Sequence, residues 1–161
     1  MDAPLRMLSI EITNEQDVLR FDEGRLKRGA RSVLRDAGIV AGSLSIAVVD
    51  DPAIHALNRK YLDHDCPTDV LSFVLERDGG RLEGEVIASA ETAAREAEQF
   101  GWTPQDELLL YVLHGTLHLV GFDDGTDLGR SVMRAAQRRY LAAFGLQLRD
   151  DPAEADRPTE S

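Results

Sequence analysis

One stretch of the sequence predicts both the central helix of the fold and the candidate site. It reads Leu113-His114-Gly115-Thr116-Leu117-His118-Leu119-Val120-Gly121-Phe122-Asp123-Asp124. Leucines and valines surround its two histidines on nearly every side, so the pattern predicts a buried helix. Thr103 and Pro104 are typical of the start of that helix, as N-cap and first residue. Gly121 is typical of its end. Two histidines on a buried helix need polar partners.

The spacing of those histidines favours a metal site. His114 and His118 are four residues apart, which separates them on a helix by about 40° around the axis and about 6 Å along it. One ion can then bind both imidazoles, as in the helical His pair of zinc proteases. A turn at Gly121 brings a carboxylate back toward the pair, and we expect Asp124 to be the third ligand, with Asp127 as the alternative. Two His and one carboxylate are typical of catalytic zinc.

The same motif argues against peptide hydrolysis. Zinc proteases carry a glutamate after the first histidine as general base, and here that position is Gly115. The competing interpretation is that the pair is fortuitous, as isolated HxxxH pairs often are. The buried helix, the glycine stop and the adjacent aspartates together favour the metal site.

Hydrophobic periodicity predicts the order β-α-β-α-β-β-α-α-α. Gly79-Gly80 predicts a hairpin between the third and fourth strands. We therefore expect the α+β class: one domain over residues 1–146, with a mixed four-stranded sheet, packed helices and the metal site at the end of a buried helix. Residues 147–161 are predicted to be an acidic, disordered tail. The predicted strands are about 7–13, 44–49, 70–75 and 85–90, and the predicted helices are about 21–37, 52–62, 91–100, 104–120 and 127–143.

The amino-acid composition indicates the compartment and the kinds of partner to expect. The 161 residues include one cysteine, Cys66, so no intramolecular disulfide is possible. Neither a signal peptide nor a membrane-spanning stretch is recognisable, so a cytoplasmic protein is expected. The net charge of −11 disfavours nucleic-acid binding, although a local basic patch can still steer an anionic ligand.

Three collinear motifs resemble the YbeY family of metal-dependent endoribonucleases. Residues 114–123 are similar to the family's His-Gly-x-Leu-His-Leu-x-Gly-[Phe/Tyr]-Asp-His, with Asp124 where the family has its third His. Residues 57–61 and 65–73 resemble the family's Leu-Asn-x-x-Tyr-Arg-x-x-Asp-x-Pro-Thr-Asp-Val-Leu-Ser-Phe, and 84–87 resemble its Gly-Asp-Ile-x. Leu62 stands where the family carries an arginine.

The resemblance implies a single-strand endoribonuclease that acts in 16S rRNA 3′-end maturation and ribosome quality control. The expected partners are pre-rRNA and the small ribosomal subunit, with no role for DNA or a membrane. The expected cofactor is one Zn²⁺ per chain, or another divalent transition ion such as Mn²⁺ or Ni²⁺. His114, His118 and Asp124 would act through the metal and its water.

Four further residues are expected near the site. Asp123 is a candidate for orienting an imidazole. The resemblance implies that Thr68 and Asp69 line the substrate groove, although they also suit a turn. Arg59, one helical turn before Leu62, is a candidate substitute for the missing arginine. Two alternatives stay open: a non-catalytic, metal-binding ribosome-assembly factor, and a metallohydrolase of another substrate.

Overall fold

The computed structural model describes residues 8–62 and 68–149, except for the side chain of Leu62. Within these residues the predicted order of strands and helices is confirmed. The strands are β1 (Leu8–Asn14), β2 (Ala41–Val49), β3 (Val70–Asp78) and β4 (Arg81–Ser89). The helices are α1 (Glu23–Asp36), α2 (Asp51–Leu62), α3 (Ala90–Phe100), α4 (Pro104–Leu119) and α5 (Asp127–Ala142).

The four strands form one mixed sheet in the order β1-β2-β4-β3. β1, β2 and β4 run parallel, whereas β3 pairs antiparallel with β4 at the edge of the sheet. The predicted hairpin is confirmed, because Asp78 pairs with Arg81 across Gly79-Gly80. Gly79 has φ 58°, a conformation that glycine adopts without strain. The predicted mixed sheet of the α+β class is therefore confirmed.

Helix α4 is the central helix and packs against both the sheet and the other helices. Its Thr103 cap accepts a hydrogen bond from the Asp106 backbone N–H at 3.0 Å, as the sequence predicts. The prediction of a buried helix is confirmed, because most of its apolar side chains are fully buried. These include Leu108, Leu109, Val112, Leu113 and Leu117.

Gly115 marks the closest approach of α4 to the sheet. A Cβ atom there would lie 2.8 Å from Cγ1 of Val86 and 3.1 Å from Cγ2 of Val70. Both valines are β-branched and Val86 is fully buried, so neither side chain can move aside easily. Glycine at this position therefore lets α4 lie directly against β3 and β4.

The chain after α5 packs back onto the domain. Leu146 and Leu148 are partly buried against the core, and Arg149 forms an ion pair with Glu107 of α4. The tail predicted from residue 147 therefore has its first three residues in the described structure, while residues 150–161 and Cys66 lie outside it. No helix in the described ranges is long and apolar enough to span a bilayer.

Candidate metal centre

Three side chains converge at the end of α4. The Nε2 atoms of His114 and His118 are 3.1 Å apart. The Oδ2 atom of Asp124 lies 3.3 Å from Nε2 of His114 and 3.4 Å from Nε2 of His118. All three side chains are partly exposed, so the group is open to solvent.

A tight turn brings the aspartate back to the helix. The Phe122 backbone N–H donates to the Leu117 carbonyl at 3.0 Å, and the Gly121 N–H donates to the His118 carbonyl at 3.1 Å. Gly121 has φ 109°, a positive value that disfavours any residue with a Cβ. The predicted reversal at this glycine is thereby found, and Asp124 rather than Asp127 faces the histidines.

The chemistry of these donors suits a divalent cation. Imidazole nitrogens without a proton and carboxylate oxygens are the ligand atoms that zinc prefers, and three atoms of these two kinds lie within 3.4 Å of one another here. These residues could hold a metal ion. Asp127 is not in this group, since its carboxylate is 88% exposed and pairs with Arg130.

Gln137 of α5 supports the group and was not anticipated from the sequence. Its Oε1 atom lies 2.8 Å from Nδ1 of His114, and the residue is 5% exposed. An amide oxygen only accepts hydrogen bonds, so this contact requires a proton on Nδ1 and leaves Nε2 as the ring nitrogen that could bind a metal. The sequence does contain one indication of this role, which is a polar glutamine on the buried face of α5 between Met133 and Tyr140.

Replacing Gln137 by leucine is expected to weaken metal binding by about 10- to 100-fold, as when a partner that orients a ligating histidine is lost. Leucine keeps the packing but accepts no hydrogen bond from Nδ1. Competition between the protein and a zinc-binding dye measures the affinity. The control is Gln137→Glu, which retains an acceptor and should bind metal at least as well. Equal affinities for the leucine variant and the unchanged protein would contradict this role.

Gly129 fixes the loop that carries the aspartate. A Cβ there would lie 2.4 Å from the Asp123 carbonyl oxygen, which means that the first turn of α5 contacts the loop through its backbone. Thr126 caps this turn by accepting from the Gly129 N–H at 2.9 Å.

Gly129→Ala should therefore displace the loop and reduce metal affinity strongly while leaving the fold intact. Isothermal titration with Zn²⁺ measures this effect. Gly125→Ala in the same loop is the matched control, because a Cβ there meets nothing closer than an Asp123 carboxylate oxygen at 3.5 Å. If both alanine variants bind Zn²⁺ equally, the backbone contact does not hold the loop in place.

Of the other residues expected near the site, Asp69 lines a cavity beside the three converging side chains, whereas Asp123, Thr68 and Arg59 do not line it. Asp123 was expected to orient an imidazole, but its carboxylate accepts a hydrogen bond from the Gly125 N–H at 3.1 Å. The side chain that contacts the imidazole of His114 is that of Gln137. The Thr68 hydroxyl lies 3.4 Å from an Asp69 carboxylate oxygen, and Asp69 lines a cavity beside the centre. Arg59 is exposed on α2 and does not line that cavity. Their roles toward substrate stay predictions.

Two concave surfaces flank the three converging side chains. A cavity of about 150 Å³ is lined by His114 and Asp124 together with Arg149 and other residues of α4 and α5. A second, more open groove is lined by His118, Leu119 and residues of β3. Tyr111 lines the first cavity, and burial, reinforced by the charges of Glu107 and Asp69, raises the pKa of its phenol.

Comparisons with known proteins agree with this architecture. A family model described as endoribonuclease YbeY matches residues 11–145. An endoribonuclease YbeY from Rhodopirellula baltica is 43% identical over 129 residues, which are 74% of this chain and 66% of that protein. The endoribonuclease YbeY from Carboxydothermus hydrogenoformans is 40% identical over 141 residues, which are 85% of this chain and 98% of that protein.

The fold has a counterpart among solved structures. The solution structure of TM1509 from Thermotoga maritima is similar with a TM-score of 0.59 and 25% identity, and the match covers 94% of this chain and 99% of that one. Sequence and structure therefore agree, and the chain belongs to the YbeY family.

Proposed function

We propose that this protein is a metal-dependent endoribonuclease of single-stranded RNA, acting in 16S rRNA 3′-end maturation and ribosome quality control in the cytoplasm. The observation that carries the proposal is the convergence of His114, His118 and Asp124 at an open site. Relatives named endoribonuclease YbeY support a hydrolytic nuclease. The proposed partners are precursor rRNA and the small ribosomal subunit.

Zinc is the proposed metal. In a tetrahedral site with bonds of about 2.0–2.1 Å, neighbouring ligand atoms are separated by about 3.3–3.4 Å. The three separations of 3.1, 3.3 and 3.4 Å are close to this spacing. A divalent ion held by these three residues would supply Lewis acidity toward a phosphoryl oxygen and toward water.

The protein's own groups would prepare this site for RNA. Gln137 keeps the Nε2 lone pair of His114 directed at the centre. The carboxylate of Asp124 would neutralise part of the charge of a bound ion. Zinc proteases carry a glutamate base after the first histidine. Here that position is Gly115, which packs against Val86, so the base is missing and peptide hydrolysis is not favoured.

The test is cleavage of a short, labelled, single-stranded RNA by the metal-loaded protein, followed by gel electrophoresis. We expect cleavage that a chelator abolishes and added Zn²⁺ restores, and we expect none with His114→Ala. Elemental analysis of the same preparation identifies the metal. Equal cleavage by His114→Ala would show that the activity comes from a contaminant.

Two further assays on the same preparation, binding to small-subunit particles and a screen of small amides and esters, separate the alternatives, which the family relationship does not favour. Tight binding to a small-subunit particle with no RNA turnover, at full metal occupancy, would indicate a non-catalytic assembly factor. Turnover of a small amide or ester, but not of RNA, would indicate a different metallohydrolase.

A further inference from the structure

Strand β3 forms one edge of the sheet and begins beside the metal centre. Asp69, just before the strand, lines the cavity that also contains His114, and Val70, its first residue, lines the second, more open groove. That groove includes His118, so it shares a side chain with the metal centre. Its volume is about 380 Å³, within the roughly 300–1,000 Å³ of typical small-ligand sites.

The outer edge of β3 offers backbone hydrogen-bonding groups to this groove. The Ser89 N–H of β4 donates to the Asp69 carbonyl at 2.9 Å, and the antiparallel register continues from there along β3. Alternate residues of an edge strand direct their N–H and C=O groups toward and away from the partner strand. Val70, Ser72 and Val74 therefore direct theirs away from β4, and all three line the groove. In the described part of the chain, no strand pairs with this edge.

The side chains around these backbone groups are mostly apolar. Leu119 of α4 and Leu71 are almost fully buried, and Val74 is 50% exposed. No lysine, arginine, aspartate or glutamate lines the groove. It therefore suits the part of a ligand that is uncharged, with apolar faces and an edge that carries hydrogen-bonding groups, rather than a phosphate.

We propose that this groove binds an unpaired base of the RNA strand, next to the phosphate that is cleaved, through the backbone N–H and C=O of Ser72. The proposal rests on the nuclease function proposed above and adds how the substrate is selected. Because His118 belongs to both the groove and the metal centre, a base held here belongs to a nucleotide beside any group at the centre.

The Watson–Crick edge of a base fits the edge of a strand. Each of the four bases carries a hydrogen-bond donor and an acceptor side by side on that edge, and proteins use it to recognise unpaired RNA. An outward-facing strand residue presents the complementary pair, one N–H donor and one C=O acceptor. In a duplex the Watson–Crick edge is occupied, so this contact accepts any base but only from a single strand.

The test compares two labelled 2′-O-methyl dodecamers, whose binding to the zinc-loaded protein is measured by fluorescence anisotropy. One contains 3-methyluridine throughout, which blocks the Watson–Crick edge, and the other contains 5-methyluridine, which carries the same methyl group away from that edge. The 3-methyl strand is expected to bind about tenfold more weakly, the effect of one lost hydrogen bond whose partner is left unsatisfied. Equal length and charge exclude phosphate contacts as the cause. Both strands are checked on a gel afterwards.

Ser72→Pro tests the backbone contact directly. Proline has no N–H, and edge strands tolerate it where that N–H faces away from the sheet. We expect this variant to bind the 5-methyl strand several-fold more weakly and to lose most of the preference between the two strands. Ser72→Ala is the matched control, because it removes only the hydroxyl and should retain the preference. A general loss of structure would instead weaken both strands equally, and unfolding temperature and zinc content are measured for each variant.

Val74→Phe provides a second variant that keeps the backbone of β3 intact. Val74 is half exposed and lines the groove, so a larger side chain narrows the groove without disturbing the core. This variant should also bind the 5-methyl strand more weakly and lose most of the preference. An unchanged preference in Val74→Phe would contradict the placement of the base in this groove.

The outcomes separate this proposal from the nuclease function. Equal affinity of the two strands for the unchanged protein would refute the base site even where RNA is cleaved. A preference that is lost in Ser72→Pro and kept in Ser72→Ala, without any RNA turnover, would support the base site and contradict the nuclease function. Extended peptides also pair with strand edges. If a valine- and threonine-rich peptide binds the unchanged protein but not Ser72→Pro, and neither RNA strand binds, the edge recognises protein and the proposal is wrong.

Discussion

Asp124→Ala is expected to lose bound metal and RNA cleavage together, whereas Asp127→Ala keeps both. Asp124 places a carboxylate oxygen within 3.4 Å of both imidazole nitrogens. The Asp127 carboxylate instead lies on the surface, paired with Arg130. Removal of a ligand should lower affinity by more than the roughly 10- to 100-fold seen for residues that only orient one. Zinc competition and the RNA cleavage assay measure the two effects.

A second substitution at position 124 tests which kind of side chain the site requires. Imidazole is also a zinc ligand, and the family motif has a histidine at this position. We therefore expect Asp124→His to retain one metal per chain and to remain active, which would show that the position needs a ligand rather than a negative charge. If Asp127→Ala loses the metal while Asp124→Ala keeps it, the assignment of the third ligand is wrong.

The centre could be predicted from the sequence because its geometry is local. His114 and His118 belong to one helix, so their spacing alone sets their relative position. The following turn depends on Gly121, whose positive φ returns the chain toward the helix end. Asp124 follows three residues later, within reach of the turn. Each step depends on neighbouring residues, and none depends on packing between distant elements.

The residues that support the centre could not be found in this way. Gln137 is 23 positions from His114 and comes from a different helix, so only the packing of α5 against α4 brings them together. The early start of β2 has a similar origin. Gly42 and Ser43 disfavour a strand locally, yet they pair with Leu82 and Glu83 of β4, because sheet pairing outweighs local preference.

Arg149 shows the same dependence on packing between distant elements most clearly. Composition predicts a polar tail from residue 147, but Arg149 is half of a largely buried ion pair. Its Nε donates to Oε1 of Glu107 at 3.0 Å, and Nη2 contacts Oε2. Its guanidinium carbon also lies 4.2 Å from the centre of the Phe100 ring. Nothing near Arg149 in the sequence indicates that a buried carboxylate in α4 needs a cation.

Arg149→Met is accordingly expected to lower the free energy of unfolding by about 3–5 kcal/mol, the usual cost of leaving one charge of a buried pair uncompensated. Methionine keeps an apolar stem against Phe100, so the loss reports mainly on the Glu107 carboxylate. Urea unfolding, followed by the fluorescence of Trp102, measures it. Trp102 is the single tryptophan of the chain, and it lies between the end of α3 and the start of α4.

Two controls make this result specific to the buried pair. Glu107→Gln combined with Arg149→Met removes the uncompensated charge and should recover much of the lost stability, because the destabilisation comes from the orphaned carboxylate. Arg81→Met breaks the exposed pair with Glu83 and should cost at most about 1 kcal/mol, as surface pairs do. If Arg149→Met is no less stable than Arg81→Met, the Glu107 carboxylate does not depend on Arg149, and the domain is complete without its last described residue.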